Sequence, residues 1–161
     1  MVSHDQTGPF TLRQAEKEDF PSVADLLRSL DLPTAGVHEN IENFFVMGSG
    51  KNVIATVGLE VHGRHALLRS LGVAENHRGK GYGQQLVRAA IAKARKNQMD
   101  SLVLLTTTAK DFFLKFGFEV IPRDAVDHAL RSSVEFCSAC PATAVCMAQP
   151  MEYASCPPRV E

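Results

Sequence analysis

The segment from His65 to Asn97 limits what this chain can fold into more than any other. An apolar run, His65 to Val73, ends in a polar turn, Ala74-Glu-Asn-His77. Arg78-Gly79-Lys80-Gly81-Tyr82-Gly83 follows, and a helical pattern runs from Gln84 to Asn97. Strand, glycine-rich turn and helix start, in that order, build a cradle of backbone N–H groups at a helix N-terminus, where a phosphate can sit. Gly81 and Gly83 lack the Cβ that would hold such a group away from the backbone. The loop is not a P-loop, since no Gly-Lys-Ser/Thr closes it. Nor do its glycines fall where a dinucleotide fingerprint needs them. Its form is Arg-x-x-Gly-x-Gly, and the plain alternative is a glycine-rich connection without a ligand.

At 161 residues the chain reads as one domain with room for a sizeable core. A formal charge of −1 leaves no polyanion footprint, so no nucleic-acid partner is expected. No signal-peptide core or membrane-length apolar run occurs, which excludes a membrane role and predicts a cytoplasmic protein with reduced cysteines. The expected domain covers residues 10–148, between an N-terminal extension at 1–9 and a C-terminal tail at 149–161. A homodimer is compatible with the sequence.

The periodicity predicts a strand near Phe10–Arg13 and a helix capped by Asp19, with Val23, Leu26, Leu27 and Leu30 as its apolar stripe. A second, weaker helix is expected from Glu39 to Met47. Val53–Glu60 and His65–Val73 read as strands joined by a hairpin turn at His62-Gly63-Arg64. Leu86, Val87, Ala90, Ile91 and Ala94 form the buried stripe of the helix after the glycine loop. Ser101–Leu105 is apolar without alternation, as in a strand covered on both faces. A short helix at Ala109–Phe116, ended by Gly117, comes next. A strand at Phe118–Ile121, a helix near Ala125–Ser132 and a last strand at Ala142–Met147 complete an α/β pattern with a mixed sheet.

After the strand Leu102–Leu105 stands Ala109-x-x-Phe112-Phe113-x-x-x-Gly117-Phe118. Together with the glycine loop, this resembles the two signatures of the GNAT N-acetyltransferases. The resemblance implies the GNAT acyltransferase fold, a mixed and mostly antiparallel sheet flanked by helices. It also implies acetyl-CoA as co-substrate, a small-molecule amine as acceptor, and no metal. A narrower likeness lies in Gly58-Leu-Glu60, Leu67-Leu-Arg-Ser-Leu-Gly-Val73 and Leu104-Leu-Thr-Thr-Thr-Ala109. With Glu135-Phe136 and Cys140-Pro-Ala-Thr-Ala144, these resemble the small N-acetyltransferases of arsenic-resistance operons. The Leu-Leu-Arg-Ser-Leu-x-Val run is also similar to the acetyltransferase domain of N-acetylglutamate synthases. Both groups act on amines of α-amino-acid type.

By this resemblance the amides of Gly79 to Gln84 hold the pyrophosphate, with charge from Arg78 and Lys80. Leu71, Gly72 and Val73 run beside the pantetheine, and the Val73 N–H stabilises the oxyanion. Thr106, Thr107, Phe112 and Phe113 lie along the pantetheine arm and thioester, although capping is the expected role of Thr108. The family usually places a tyrosine at the position of Phe113, so the group that assists the leaving thiolate is left open. An alkyl thiol with a pKa of about 8.5 leaves tolerably unaided, or a water or threonine hydroxyl can help. Glu60 is the candidate base for the amine, against an ordinary strand-end glutamate. Arg69, with Ser70 beside it, is the candidate ligand for an acceptor carboxylate, against a solvent-facing arginine. Cys137, Cys140, Cys146 and Cys156 are clustered near the C-terminus; Cys137-x-x-Cys140 lacks a second knuckle, and free thiols are the default, against three thiols that bind a trivalent metalloid. The alternative to an enzyme is thus a non-catalytic GNAT-fold module that binds acetyl-CoA or such a metalloid.

Overall fold

The computed structural model describes residues 10–131, 133 and 143–151. The expectations for residues 1–9, for Glu135 to Ala142 and for Cys137, Cys140 and Cys156 lie outside the described residues. One seven-stranded sheet runs in the order β1-β2-β3-β4-β5-β7-β6. Its strands are β1 (Thr11–Gln14), β2 (Phe44–Ser49), β3 (Asn52–His62), β4 (His65–Val73), β5 (Ser101–Thr106), β6 (Glu119–Val120) and β7 (Val145–Pro150). Every neighbouring pair is antiparallel except β4 and β5. The helices are α1 (Phe20–Ser29), α2 (Val37–Asn40), α3 (Tyr82–Lys96), α4 (Lys110–Leu114) and α5 (His128–Arg131).

Strand alternation divides the core between the two faces of the sheet. Ala55, Val57 and Leu59 of β3 pack with Leu86, Val87, Ala90 and Ala94 of α3. On the opposite face, Phe44 and Val46 meet Val23 and Leu27 of α1. Further along that face, Leu67, Val103 and Cys146 meet Val126 and Leu130 near α5. Both faces are thus covered, which accounts for the unbroken apolar run of β5.

Two expectations are corrected here. Residues 39–47 are not one helix: α2 stops at Asn40, a 3-10 turn spans Ile41–Asn43, and Phe44–Ser49 is strand β2. Asp19 does precede α1, but its carboxylate makes no cap hydrogen bond to that helix. It accepts instead from Arg13 Nη1 and Nη2 at 2.7 and 2.8 Å, and from the Glu16 N–H at 2.8 Å. The Arg13 guanidinium beside it holds this carboxyl below the usual carboxylate range. At the other end of the chain, β7 continues to Pro150 and Met151 is buried.

Helix α3 ends in a tight motif: the Met99 N–H donates to the Ala94 C=O at 3.0 Å and Gln98 N–H to the Arg95 C=O at 2.9 Å. This arrangement puts Gln98 in left-handed backbone, φ 58°. Glycine escapes a penalty of roughly 1–2 kcal/mol in that conformation, offset in part by about 0.5–1 kcal/mol of extra unfolded-state freedom. Gln98→Gly is therefore expected to raise the melting temperature by roughly 1–4 °C, as measured by calorimetry. A lower melting temperature would mean that the Gln98 side chain supports the fold.

Candidate functional site

Strand β4 changes phase part-way along. Thr56 pairs with Gly72 and Gly58 with Arg69, so Ser70 and Leu71 together oppose Val57. Ser70 takes φ 61° at this bulge. Gly72, just past the bulge, serves a close approach: a Cβ there would come within 2.6 Å of Leu30 Cδ1 at the end of α1.

Beyond the bulge, the sheet opens. The parallel pairing of β4 with β5 covers only His65–Leu67 against Ser101–Val103. The Ala74 N–H donates to the Ile54 C=O at 2.7 Å. Antiparallel alternation then turns Gly72 toward β3 and leaves the amides of Leu71 and Val73 facing the gap where β5 has moved away. These two N–H groups lie along one cleft edge, positioned like a strand awaiting a neighbour.

The glycine loop closes one end of this gap. Gly79 and Gly81 adopt φ 81° and 85°, and Gly81 directly precedes α3. The first hydrogen bond of the helix runs from the Gln85 N–H to the Gly81 C=O, so the amides of Tyr82, Gly83 and Gln84 precede the helical ladder. Arg78 is anchored back onto β4, its Nε donating to the Val73 C=O at 3.1 Å. Lys80 is exposed on the loop. A cavity of about 710 Å³ extends from this loop along Leu71, Gly72 and Val73 to Thr108, Ala109 and Phe112. It also includes His77, whose Nδ1 is buried without a partner.

A second cavity, of about 680 Å³, lies on the far side of the opening. Asp31, Leu32 and Pro33 wall it from the α1–α2 connection, while Arg69, Ser70, Thr106, Thr107 and Phe113 wall it from the sheet and α4. Leu32, Leu71, Thr108 and Ala109 line both cavities, which therefore meet at the bulge. Phe112 faces the first and Phe113 the second. Phe113 is buried, with its ring edge-on to Phe112 and Phe118.

Glu60 and Arg69, expected at opposite ends of an acceptor, are joined to each other. Arg69 Nη1 donates to Glu60 Oε1 at 3.2 Å, and Glu60 Oε2 lies 2.8 Å from His62 Nε2. The same guanidinium donates through Nε to Ser70 Oγ at 3.1 Å and through Nη2 to the Pro33 C=O at 3.4 Å. Its side chain is fully enclosed, so it is not the solvent-facing arginine of the alternative reading. Arg69 thus ties the bulge to the wall of the second cavity. Sequence spacing could not reveal this, because the residues meet diagonally across strands whose register depends on the bulge.

Thr106, not Thr108, caps the turn into α4: its Oγ1 accepts from the Ala109 N–H at 3.0 Å. Cys146 is a core residue whose thiol burial pushes up. Among the described residues no three His, Cys, Asp or Glu side chains converge as metal ligands, and no helix is long and apolar enough to cross a membrane.

Residues 40–120 match the family model described as an acetyltransferase (GNAT) domain. A curated relative, the amino-acid acetyltransferase of Neisseria meningitidis, is 26% identical over 130 residues; the match covers 75% of this chain and 30% of the relative. The chain therefore spans under a third of the length of that protein. Among solved structures, N-acetylglutamate synthase from Neisseria gonorrhoeae, complexed with coenzyme A and N-acetyl-glutamate, superposes with a TM-score of 0.76 at 21% identity, over 89% of this chain and 35% of that one. Rv2747 from Mycobacterium tuberculosis, in complex with CoA and NLQ, gives 0.72 at 20% identity, over 88% of this chain and 99% of the other.

Proposed function

We propose that this chain, which belongs to the GNAT acetyltransferase family, transfers the acetyl group of acetyl-CoA to the amine of a small amino acid or amino-acid analogue. The carrying observation is the pair of cavities that meet at the β4 bulge, one of them ending at the glycine loop before α3. A donor whose phosphates lie on that loop and whose pantetheine runs along Leu71–Val73 brings its thioester to the junction. An acceptor in the second cavity reaches the same point from the other side.

Three groups serve the chemistry in this reading. The Val73 N–H, aimed into the gap, stabilises the oxyanion as the amine adds to the thioester carbon. One preorganised donor of this kind contributes roughly 3–4 kcal/mol to the transition state. Arg69 presents positive charge at the wall of the second cavity and, with the Ser70 hydroxyl beside it, suits an acceptor carboxylate. Glu60 lines neither cavity, so in this reading it takes up the proton lost by the ammonium only through intervening water, with Arg69 and His62 fixing its carboxylate. A paired acid and base beside the cavity suit a zwitterion better than a polyamine, which would call for several unpaired carboxylates. The curated relative named as an amino-acid acetyltransferase supports the same acceptor class.

The test is thiol release from acetyl-CoA with the twenty amino acids and their amides as acceptors. Turnover with one or more acids, and at least tenfold lower kcat/KM for the matching amides, is the expected result. Equal rates for acids and amides would remove the carboxylate from the recognition scheme. Release of thiol with polyamines alone would overturn the acceptor class.

A further inference from the structure

Resting on the acetyl-transfer reading, we propose that Thr108 hydrogen-bonds the departing sulfur, the task a tyrosine at position 113 would perform. Four residues line both cavities: Leu32, Leu71, Thr108 and Ala109. The carbon–sulfur bond that breaks must lie where the cavities join, among these four. Three of them have hydrocarbon side chains, so the Thr108 hydroxyl is the side-chain proton donor at that point.

The fold leaves this hydroxyl available. Capping of the turn into α4 falls to Thr106, whose Oγ1 accepts the Ala109 N–H. Thr108 itself is exposed in a bend between β5 and α4. Other donors stand elsewhere: Thr106 and Thr107 line the second cavity, while Tyr82 and His77 line the first toward the glycine loop. Phe113 has no proton to give, and its burial between Phe112 and Phe118 makes it a wall.

The step balances without an acidic residue. The amine nitrogen bonds to the thioester carbon, the tetrahedral adduct collapses, and the C–S electron pair stays on sulfur. The Thr108 hydroxyl donates a hydrogen bond to the sulfur as that charge develops. The ammonium loses one proton through Glu60 and water before it attacks, the adduct nitrogen loses a second to water as the adduct collapses, and water returns one proton to the CoA thiolate, so that one proton goes to solvent overall. Threonine keeps its own proton overall, in line with an alkyl thiol whose pKa of about 8.5 makes a full general acid unnecessary.

Thr108→Val should lower kcat by about 10- to 100-fold, the range for loss of one hydrogen bond to a charged group. KM for acetyl-CoA, its Kd by calorimetry and the melting temperature should stay within about twofold or 2 °C of wild type. Thr108→Ser should keep kcat within roughly threefold, because it keeps the hydroxyl. Wild-type kcat in the valine variant, or a serine variant as slow as valine, would overturn the assignment while leaving acetyl transfer intact. So would parallel losses of kcat, affinity and stability, which mark a structural residue. Wild-type protein that binds acetyl-CoA but releases no thiol with any amino acid would remove the acetyl-transfer reading, and this proposal with it.

Discussion

Gly81→Val is expected to weaken CoA binding by at least about a hundredfold, a loss of roughly 3 kcal/mol, while barely moving the melting temperature. Gly81 has φ 85° and no atom within 4 Å of where a Cβ would stand, so the substitution meets no clash. It meets a conformational penalty instead: a β-branched residue in left-handed backbone costs on the order of 1–3 kcal/mol. An exposed loop escapes that cost by changing shape, and the amides of Tyr82, Gly83 and Gln84 then lose their common aim. Gly83→Ala is the control. Its Cβ would lie 3.7 Å from Phe112 Cζ and 3.8 Å from Val73 Cγ2, which is ordinary contact, so affinity should fall tenfold or less. Calorimetric titration with CoA checks both, and an unchanged Kd in the valine variant would place the phosphates elsewhere.

Arg69→Leu should have the largest effect on stability. The substitution leaves the Glu60 carboxylate, 7% exposed, without its cationic partner, and strips donors from Ser70 Oγ and the Pro33 C=O. Breaking a buried pair on one side costs about 3–5 kcal/mol, which lowers the melting temperature of a chain this size by roughly 6–20 °C. Adding Glu60→Leu should recover more than half of the loss, since removing both charges leaves none unpaired. Scanning calorimetry on the two variants decides. Unchanged stability in the single variant would show that Arg69 is not a strut, and acceptor KM, measured separately, reads the carboxylate role proposed above.

The parts of the fold that were legible from sequence are the local ones. His65–Val73 is a strand between the same residues that the apolar run marks, and α3 starts two residues before the expected Gln84, within the glycine loop itself. Strand β2 was not legible, because Ile41, Phe44 and Phe45 satisfy a helical stripe while Phe44 and Val46 alternate with Phe45 and Met47. A short apolar run fits both periods. Its place between β1 and β3 decides the matter, and that is a long-range fact.

For the candidate site, the glycine loop and the cleft strand could be read from residue types, since backbone amides need only the right turn. The Glu60–Arg69 pair could not, because it depends on two strands and a bulge. The cap expected of Thr108 is supplied by Thr106. Three consecutive threonines look alike in sequence, and only the hydrogen bond from the Ala109 N–H tells which one caps.

The extra residue at the bulge makes β4 two strands of opposite parity written as one. Before Ser70, Leu67 and Arg69 face the α1 and α5 side, and Ala66 and Leu68 face α3. After it, Gly72 faces α1, while Leu71 and Val73 pack toward α3. The shift is one of count only: β3 keeps its own alternation throughout, with Gly58 opposite Arg69 before the extra residue and Thr56 opposite Gly72 after it. The first half of β4 is paired on both sides, with β3 and with β5, whereas the second half is paired with β3 alone and works as an edge in the middle of the molecule.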